Sequence, residues 1–96
     1  MSATAESAQK QITYEVHSDG QLMSVNYYDE LNNMTSLQDQ PADWSTSFDG
    51  KATVQLYSLG AQTKGEQVSC SITVNGEVVA SNTASGRYAL VLCSAA

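Results

Sequence analysis

The sequence predicts an all-β fold, an antiparallel sandwich of about seven short strands. In most segments apolar and polar residues alternate, which is the period of a strand with one buried face. Turn residues such as Asn-Gly, Asp-Gly and Ser-Gly separate these segments about every ten residues. Helical spacing of apolar residues is hard to find. We expect a single domain, because a chain of 96 residues without a linker builds only one core.

The amino-terminal half begins with a polar lead-in and continues with four predicted strands. Residues 1–11 are rich in Ala and Ser, so we expect a flexible lead-in before a β-sandwich domain over residues 12–96. In the first strand, Tyr14 and Val16 are expected to face inward. In the second strand, Met23 is expected to be the first inward-facing residue. The four strands are predicted at residues 12–17, 23–28, 34–38 and 44–48.

The carboxyl-terminal half contains a strand, a loop and a hairpin before the last strand. The strand is predicted over residues 52–57 and a polar loop over residues 60–65. In the hairpin, Asn75-Gly76 favours a two-residue type I′ turn, because both central residues must accept positive φ. This turn places Ile72 opposite Val79, so both side chains are expected to face the core.

The chain has two cysteines, Cys70 and Cys93, and both face inward by the parity of their strands. A disulfide between them would close a loop worth about 3 kcal/mol of stability in the chain-entropy model. It would also favour an oxidising compartment. The alternative is a pair of separate buried thiols. We predict the disulfide.

The last strand, predicted over residues 88–93, is apolar on both faces. If Cys93 faces inward, Tyr88, Leu90 and Leu92 lie on the opposite face. One interpretation is a central strand whose outer face is covered by a loop or by the amino-terminal segment. The other is a docking surface for another protein or subunit, formed by these three side chains.

Trp44 also has two interpretations. It fills the core, as a tryptophan does in immunoglobulin-like sandwiches, or it forms an exposed aromatic platform with Tyr28 or Tyr57. We favour the core and an immunoglobulin-like sandwich, because a small sandwich needs the area that aromatic side chains bury. The predicted core also contains Tyr14, Val16, Val25, Tyr27, Val54, Leu56, Ile72, Val74, Val79 and Val91.

The chain is acidic, with ten Asp and Glu, four Lys and Arg and a net charge of −6. Residues 11–50 contain seven acids and no Lys or Arg. Such a surface repels phosphate backbones, which argues against a nucleic acid partner, and it offers no basic patch to anionic lipids. No apolar run approaches the ~20 residues that cross a bilayer. We therefore expect any targeting or membrane segment to lie outside this chain.

No catalytic or metal-binding pattern stands out. His17 is the only histidine, lies on the predicted solvent face, and has no partners at ligand spacing. The serines lack a Gly-x-Ser-x-Gly elbow, and the cysteines are expected in a disulfide rather than as thiolates. The glycines are single turn residues and form no phosphate-binding loop. We therefore expect the protein to have no enzymatic activity and to bind no metal ion and no cofactor.

Five short motifs follow one another along residues 11–94. Their order and spacing together resemble the exported carboxyl-terminal domain of the mycobacterial membrane protein small (MmpS) family. The approach to Trp44, at residues 41–43, departs from the more apolar segment expected there. The matching segments are Ile12–Val16, Val25–Tyr27, Pro41 with Trp44-Ser45, Cys70–Val79, and Ser85–Ala89 running on to Cys93-Ser94.

The resemblance implies a β-sandwich with a cysteine bridge on the periplasmic side of the inner membrane, normally tethered by an amino-terminal membrane helix. It also implies a non-enzymatic accessory role beside MmpL transporters of the resistance–nodulation–division type, which export lipids, glycolipids or siderophores. Membrane contact is then expected only through a segment absent from this chain. The alternative function is a free secreted module that binds a hydrophobic ligand or a cell-envelope partner.

Overall fold

The described part of the chain consists of β-strands and turns. The computed structural model describes residues 10–50 and 57–95, and these residues contain eight strands and no helix. Because the first strand begins at Lys10, the predicted lead-in lies outside the described residues except for its last two positions. The strands are β1 (Lys10–Ser18), β2 (Leu22–Tyr28), β3 (Met34–Gln40), β4 (Asp43–Gly50), β5 (Tyr57–Thr63), β6 (Gln67–Val74), β7 (Glu77–Ser85) and β8 (Leu90–Ala95).

The strands form two four-stranded sheets that pack face to face. Sheet A has the order β4-β1-β6-β7, and sheet B has the order β3-β2-β5-β8. Neighbouring strands are antiparallel in every described pairing. One hydrophobic core contains side chains from both sheets. The predicted all-β antiparallel sandwich is therefore confirmed.

The central strands supply most of the core. β1 pairs with both β4 and β6, and its inward side chains Ile12, Tyr14 and Val16 are fully buried. The alternation read from the sequence of this strand is therefore confirmed. Among the predicted core residues, Tyr14, Val16, Val25, Ile72 and Val91 are buried, and Tyr27 and Val74 are half-buried against the core.

An aromatic cluster joins β1 and β4 of sheet A to β2 of sheet B. Trp44 is 9% exposed, and its ring centroid lies 5.5 Å from that of Tyr27. The Tyr14 ring meets those of Tyr27 and Phe48 edge to face, at 5.6 and 5.4 Å. The Tyr14 hydroxyl donates to the Tyr28 carbonyl at 3.0 Å, and burial raises the pKa of Tyr14 to about 12. The core interpretation of Trp44 is confirmed.

β2 departs from the predicted alternation at its start. Leu22 and Val25 are fully buried, whereas Met23 is half-buried. A bulge between Leu22 and Ser24 inserts one extra residue opposite β5. Because an extra residue changes which side chains face inward, Leu22 rather than Met23 begins the inward face.

The β6–β7 hairpin has the predicted turn but not the predicted register. Asn75 and Gly76 both have positive φ, 52° and 85°, as a type I′ turn requires. A bulge then makes Ala80 the partner of Ile72. Val79 is the extra residue of the bulge and is 43% exposed, so its assignment to the core was wrong. The error arose because two apolar residues follow the turn, and register alone decides which faces inward.

β5 occupies much of the segment expected to be a polar loop. Leu59, Ala61 and Thr63 are fully buried, and β5 pairs with β2 on one side and β8 on the other. The prediction of a loop over residues 60–65 was therefore wrong for its first four residues. β5 is buried because it lies between β2 and β8 in sheet B. Its small residues have a weak preference for strands, so the sequence did not mark them as one. The predicted strand over residues 52–57, with Val54 and Leu56, lies outside the described residues except for Tyr57.

Hydrogen bonds close the end of the sandwich where β1, β5 and β7 finish. The Asp19 carboxylate accepts the main-chain N–H groups of Glu66 and Gln67 at 2.9 and 3.1 Å. These bonds hold the pKa of Asp19 below its usual value. Gly65 lies directly against this carboxylate, where a Cβ would collide with it, and the Gly65 carbonyl accepts the N–H of Tyr88 at 3.1 Å. The turn before β8 is thereby fixed to the β5–β6 turn.

Candidate functional site

A disulfide ties the two sheets together beside the candidate site. Cys70 on β6 is bonded to Cys93 on β8, with the two Cα atoms 6.2 Å apart. Both cysteines are 3% exposed, and neither cysteine of the chain is free. The predicted bridge is confirmed, and the alternative of two separate thiols is wrong. The bond fixes β8, which belongs to sheet B, against the centre of sheet A.

β8 is an edge strand with one buried and one exposed face. Val91 and Cys93 point into the core, whereas Leu90 and Leu92 are 65% and 61% exposed. Among the described strands, β8 pairs only with β5. The predicted parity is therefore correct, but the interpretation as a covered central strand is wrong. Two large apolar side chains lie exposed side by side on sheet B.

Tyr88 lies in the turn before β8 rather than in the strand itself. Its φ is 57°, and its side chain is 50% exposed. Gln62, which pairs with Leu90 across β5 and β8, donates from Nε2 to the Tyr88 carbonyl at 3.2 Å. The Arg87 guanidinium lies 5.9 Å from the centroid of the Tyr88 ring. We call the exposed side chains of Tyr88, Leu90 and Leu92 the β8 face.

Sheet B is almost free of charged side chains, although the chain as a whole is strongly acidic. β2, β5 and β8 contain no Asp, Glu, Lys or Arg, and β3 contains only Asp39. Asp39 forms an ion pair with Lys64 at 3.0 Å. The other acids of the described residues lie on sheet A or in turns, at Glu15, Asp19, Asp29, Glu30, Asp43, Asp49, Glu66 and Glu77. The sequence did not reveal this separation because it depends on which strands share a sheet.

A second candidate site lies on the outer side of sheet A around His17. An open depression of about 400 Å³ is lined by hydroxyl, amide and carboxylate side chains. His17 Nδ1 lies 3.0 Å from Asp43 Oδ1 across the β1–β4 pair, a partner that only the strand register reveals. The His17 and Asp43 side chains are 60% and 80% exposed. The lining residues are His17, Ser18, Asp19, Gln67, Ser69 and Thr83.

This depression does not combine its polar groups into a reactive arrangement. The strand register places Asp43, His17 and Ser69 in one row across sheet A. The Ser69 hydroxyl, however, donates to the main-chain carbonyl of His17 at 3.4 Å, so its proton is not directed at the ring. Within residues 10–50 and 57–95, no three His, Cys, Asp or Glu side chains converge on a metal site. The β8 face is therefore the stronger candidate.

The described residues include no helix of the length and hydropathy needed to cross a bilayer. Comparison with known proteins gives a family match over residues 2–96, to the family described as Mycobacterium membrane protein. A relative from Mycobacterium bovis, a probable transport accessory protein MmpS5, is 32% identical over 84 residues. A relative from Mycobacterium tuberculosis with the same identity is a siderophore export accessory protein MmpS5.

Each of these alignments covers 88% of this chain. The chain spans 59% of the length of these curated relatives. The family match covers almost the whole sequence, and the fold and disulfide expected from the family are both present. The chain therefore belongs to the Mycobacterium membrane protein family, the family of the MmpS transport accessory proteins.

Proposed function

We propose that this domain is a non-enzymatic accessory module that docks on an MmpL-type transporter of the resistance–nodulation–division class. It acts on the periplasmic side of the membrane and assists the export of lipids, glycolipids or siderophores. The observation that carries the proposal is the β8 face, an exposed apolar group on the neutral sheet of an acidic domain. The names of the relatives, which describe accessory roles in transport and siderophore export, support the same class of function.

The geometry of the β8 face suits a protein partner better than a small ligand. Leu90 and Leu92 project from the outer side of an edge strand, and ligands usually bind in concave sites instead. A transient protein contact needs only ~1,000–1,600 Å² in total, so these side chains are large enough to form its centre. Their uncharged surroundings lower the cost of removing water from that centre.

The direction of β1 places Tyr88 at the end of the sandwich opposite a tether at the amino end. Lys10 begins β1 beside the β6–β7 turn, where the Gln11 carbonyl accepts the N–H of Asn75 at 2.8 Å. Tyr88 lies at the opposite end, bonded to Gly65. Nine residues of strand separate the two ends by roughly 25 Å. A membrane segment preceding residue 10 would therefore attach at the end of the sandwich away from Tyr88, while Leu90 and Leu92 project from the side of the domain.

The test replaces Leu90 and Leu92 together by Ser and measures copurification with the transporter and cargo export in a mycobacterial host. The matched control is Leu31→Ser, since Leu31 is 59% exposed but lies in the β2–β3 turn. The double variant should lose transporter binding and export while its thermal unfolding stays unchanged, and the control should retain both activities. Normal binding and export by a folded double variant would show that the partner docks elsewhere.

A further inference from the structure

The outer edge of β7 lacks the charges and prolines that commonly protect an edge strand along most of its length. β7 is nine residues long, forms one edge of sheet A, and pairs with no described strand beyond β6. Its residues 78–85 include no charged residue and no proline. Such an edge offers unpaired main-chain groups to another strand. Among the described strands, β7 therefore has an unpaired edge of sufficient length for strand addition.

The other three edges are protected. β4 carries Asp43 and Asp49 along its length. β3 is distorted near its end at Asp39, which has a φ of 57° and an ion pair with Lys64. On β8 the carbonyl of Leu92 accepts the Asn82 amide at 3.1 Å, so that edge is already partly occupied. Charges and local distortion are common ways to prevent edge pairing, and β7 has only a bulge near its start.

The two ends of β7 complement each other in charge and size. The strand begins with Glu77 and the large Val78, and it is followed by Gly86 and the exposed Arg87. In an antiparallel pair of two identical strands, the first end of one copy meets the last end of the other. Glu77 would then lie near Arg87 and over the small Gly86 of the second copy. The edge is therefore complementary to itself.

The main chain permits this pairing when the two-fold axis passes through Asn82. The Thr83 N–H donates to the Asn82 side chain at 2.9 Å, so it points to the free edge rather than to β6. Ser81 has the same parity, and the axis places Ser81 opposite Thr83 of the second copy, which matches donors with acceptors. The bulge at Val79 shifts the far end by one residue, so Glu77 lies close to Arg87 rather than directly opposite.

We propose that two copies of this domain pair antiparallel through β7, so that two sheets A form one continuous eight-stranded sheet. The Asn82 side chain must release the Thr83 N–H for the ladder to form, which keeps the association weak and reversible. The contact uses a different strand from the β8 face, but Asn82 and Arg87 also contact Leu92 and Tyr88 of that face. Sedimentation of the isolated domain therefore measures self-association apart from transporter docking.

Charge exchange tests the pairing directly. Sedimentation velocity on the oxidised domain, over concentrations up to roughly 1 mM, should show a concentration-dependent dimer. Glu77→Lys and Arg87→Glu, each alone, should shift the protein to monomer, because each places like charges together at both ends of the pair. The double variant should restore the dimer. Asp49→Lys, the same charge change on β4, should leave it unchanged, and thermal unfolding confirms that every variant is folded.

Three outcomes would overturn the proposal. Wild-type protein that stays monomeric throughout would leave β7 free for a strand of a different protein. A dimer that neither single charge change weakens would place the contact on another surface. Loss of the dimer in the Leu90 and Leu92 double variant, without loss in the charge variants, would assign self-association to the β8 face.

Discussion

The side chain of Leu92 lies over Gly60 on the neighbouring strand. The two residues pair across β5 and β8, and a Cβ built on Gly60 would lie 3.5 Å from Leu92 Cδ1. Gly60 is buried although it faces the outer side of sheet B, because this leucine covers it. The position of Leu92 in the β8 face therefore depends on the size of the residue beneath it.

Enlarging Gly60 should alter the β8 face without touching its residues. Gly60→Val is expected to displace Leu92 and weaken transporter binding, because branches beyond Cβ would occupy the space of its side chain. Gly60→Ala should keep binding and stability, since 3.5 Å is an ordinary van der Waals separation. Copurification and thermal unfolding measure the two effects. Equal binding by the Val and Ala variants would mean that the placement of Leu92 does not matter for docking.

Removing the disulfide should reduce stability substantially. Replacing Cys70 and Cys93 together by Ser is expected to lower the free energy of unfolding by about 3 kcal/mol. The reason is that the unfolded chain regains the conformational entropy that the closed loop had removed. Urea unfolding of oxidised wild type and of the double variant measures the difference. Intact mass should also show the oxidised protein about 2 Da lighter than its reduced form. A variant as stable as wild type would contradict a stabilising role for the bridge.

Two positions in the β6–β7 hairpin give opposite expectations for the same substitution. Ile72→Asp should prevent folding, because Ile72 is fully buried and the new carboxylate would be buried there without water or a charged partner. Val79→Asp should be tolerated, with a change in unfolding free energy within about 0.5 kcal/mol, because Val79 lies exposed in the bulge. Circular dichroism and thermal unfolding distinguish them. A folded Ile72→Asp variant would show that this face is not core.

Asp19 should make stability depend on acid pH. Its folded pKa is below the usual value of 3.8, so its ionised form favours folding above that pH. The contribution is lost as pH falls from there through the lowered folded pKa. Asp19→Asn should be less stable than wild type at neutral pH, and the difference should shrink in this acid range. Urea unfolding at several pH values measures it, and a difference independent of pH would remove ionisation as the cause.

Local patterns predicted the elements well and their assembly less well. The alternation around Tyr14 and the Asn75-Gly76 turn each depend on neighbouring residues, so both could be read directly. Val79 could not, because a bulge shifts register without any mark in the apolar pattern. β5 was missed in part because its Gly and Ala are buried only by adjacent strands.

The candidate site was also only partly readable. The outward orientation of Leu90 and Leu92 followed from the inward facing of Cys93, since parity fixes the other face of the same strand, but their exposure did not. The neutrality of their sheet and the edge position of β8 could not be predicted, because both depend on strand order. The pairing of His17 with Asp43 was hidden for the same reason.

The bond between Cys70 and Cys93 also sets how the domain responds to mechanical tension. A pull between the amino end of β1 and the carboxyl end of β8 passes from residue 70 to residue 93 through the sulfur atoms. Residues 71–92 therefore bear no load and do not extend. In a single-molecule pulling experiment, the fully stretched oxidised chain should be roughly 70 Å shorter than the reduced chain. A domain pulled between its amino end and the carboxyl end of β8 would thus keep β7, the β6–β7 turn and the turn before β8 out of the covalent line of force.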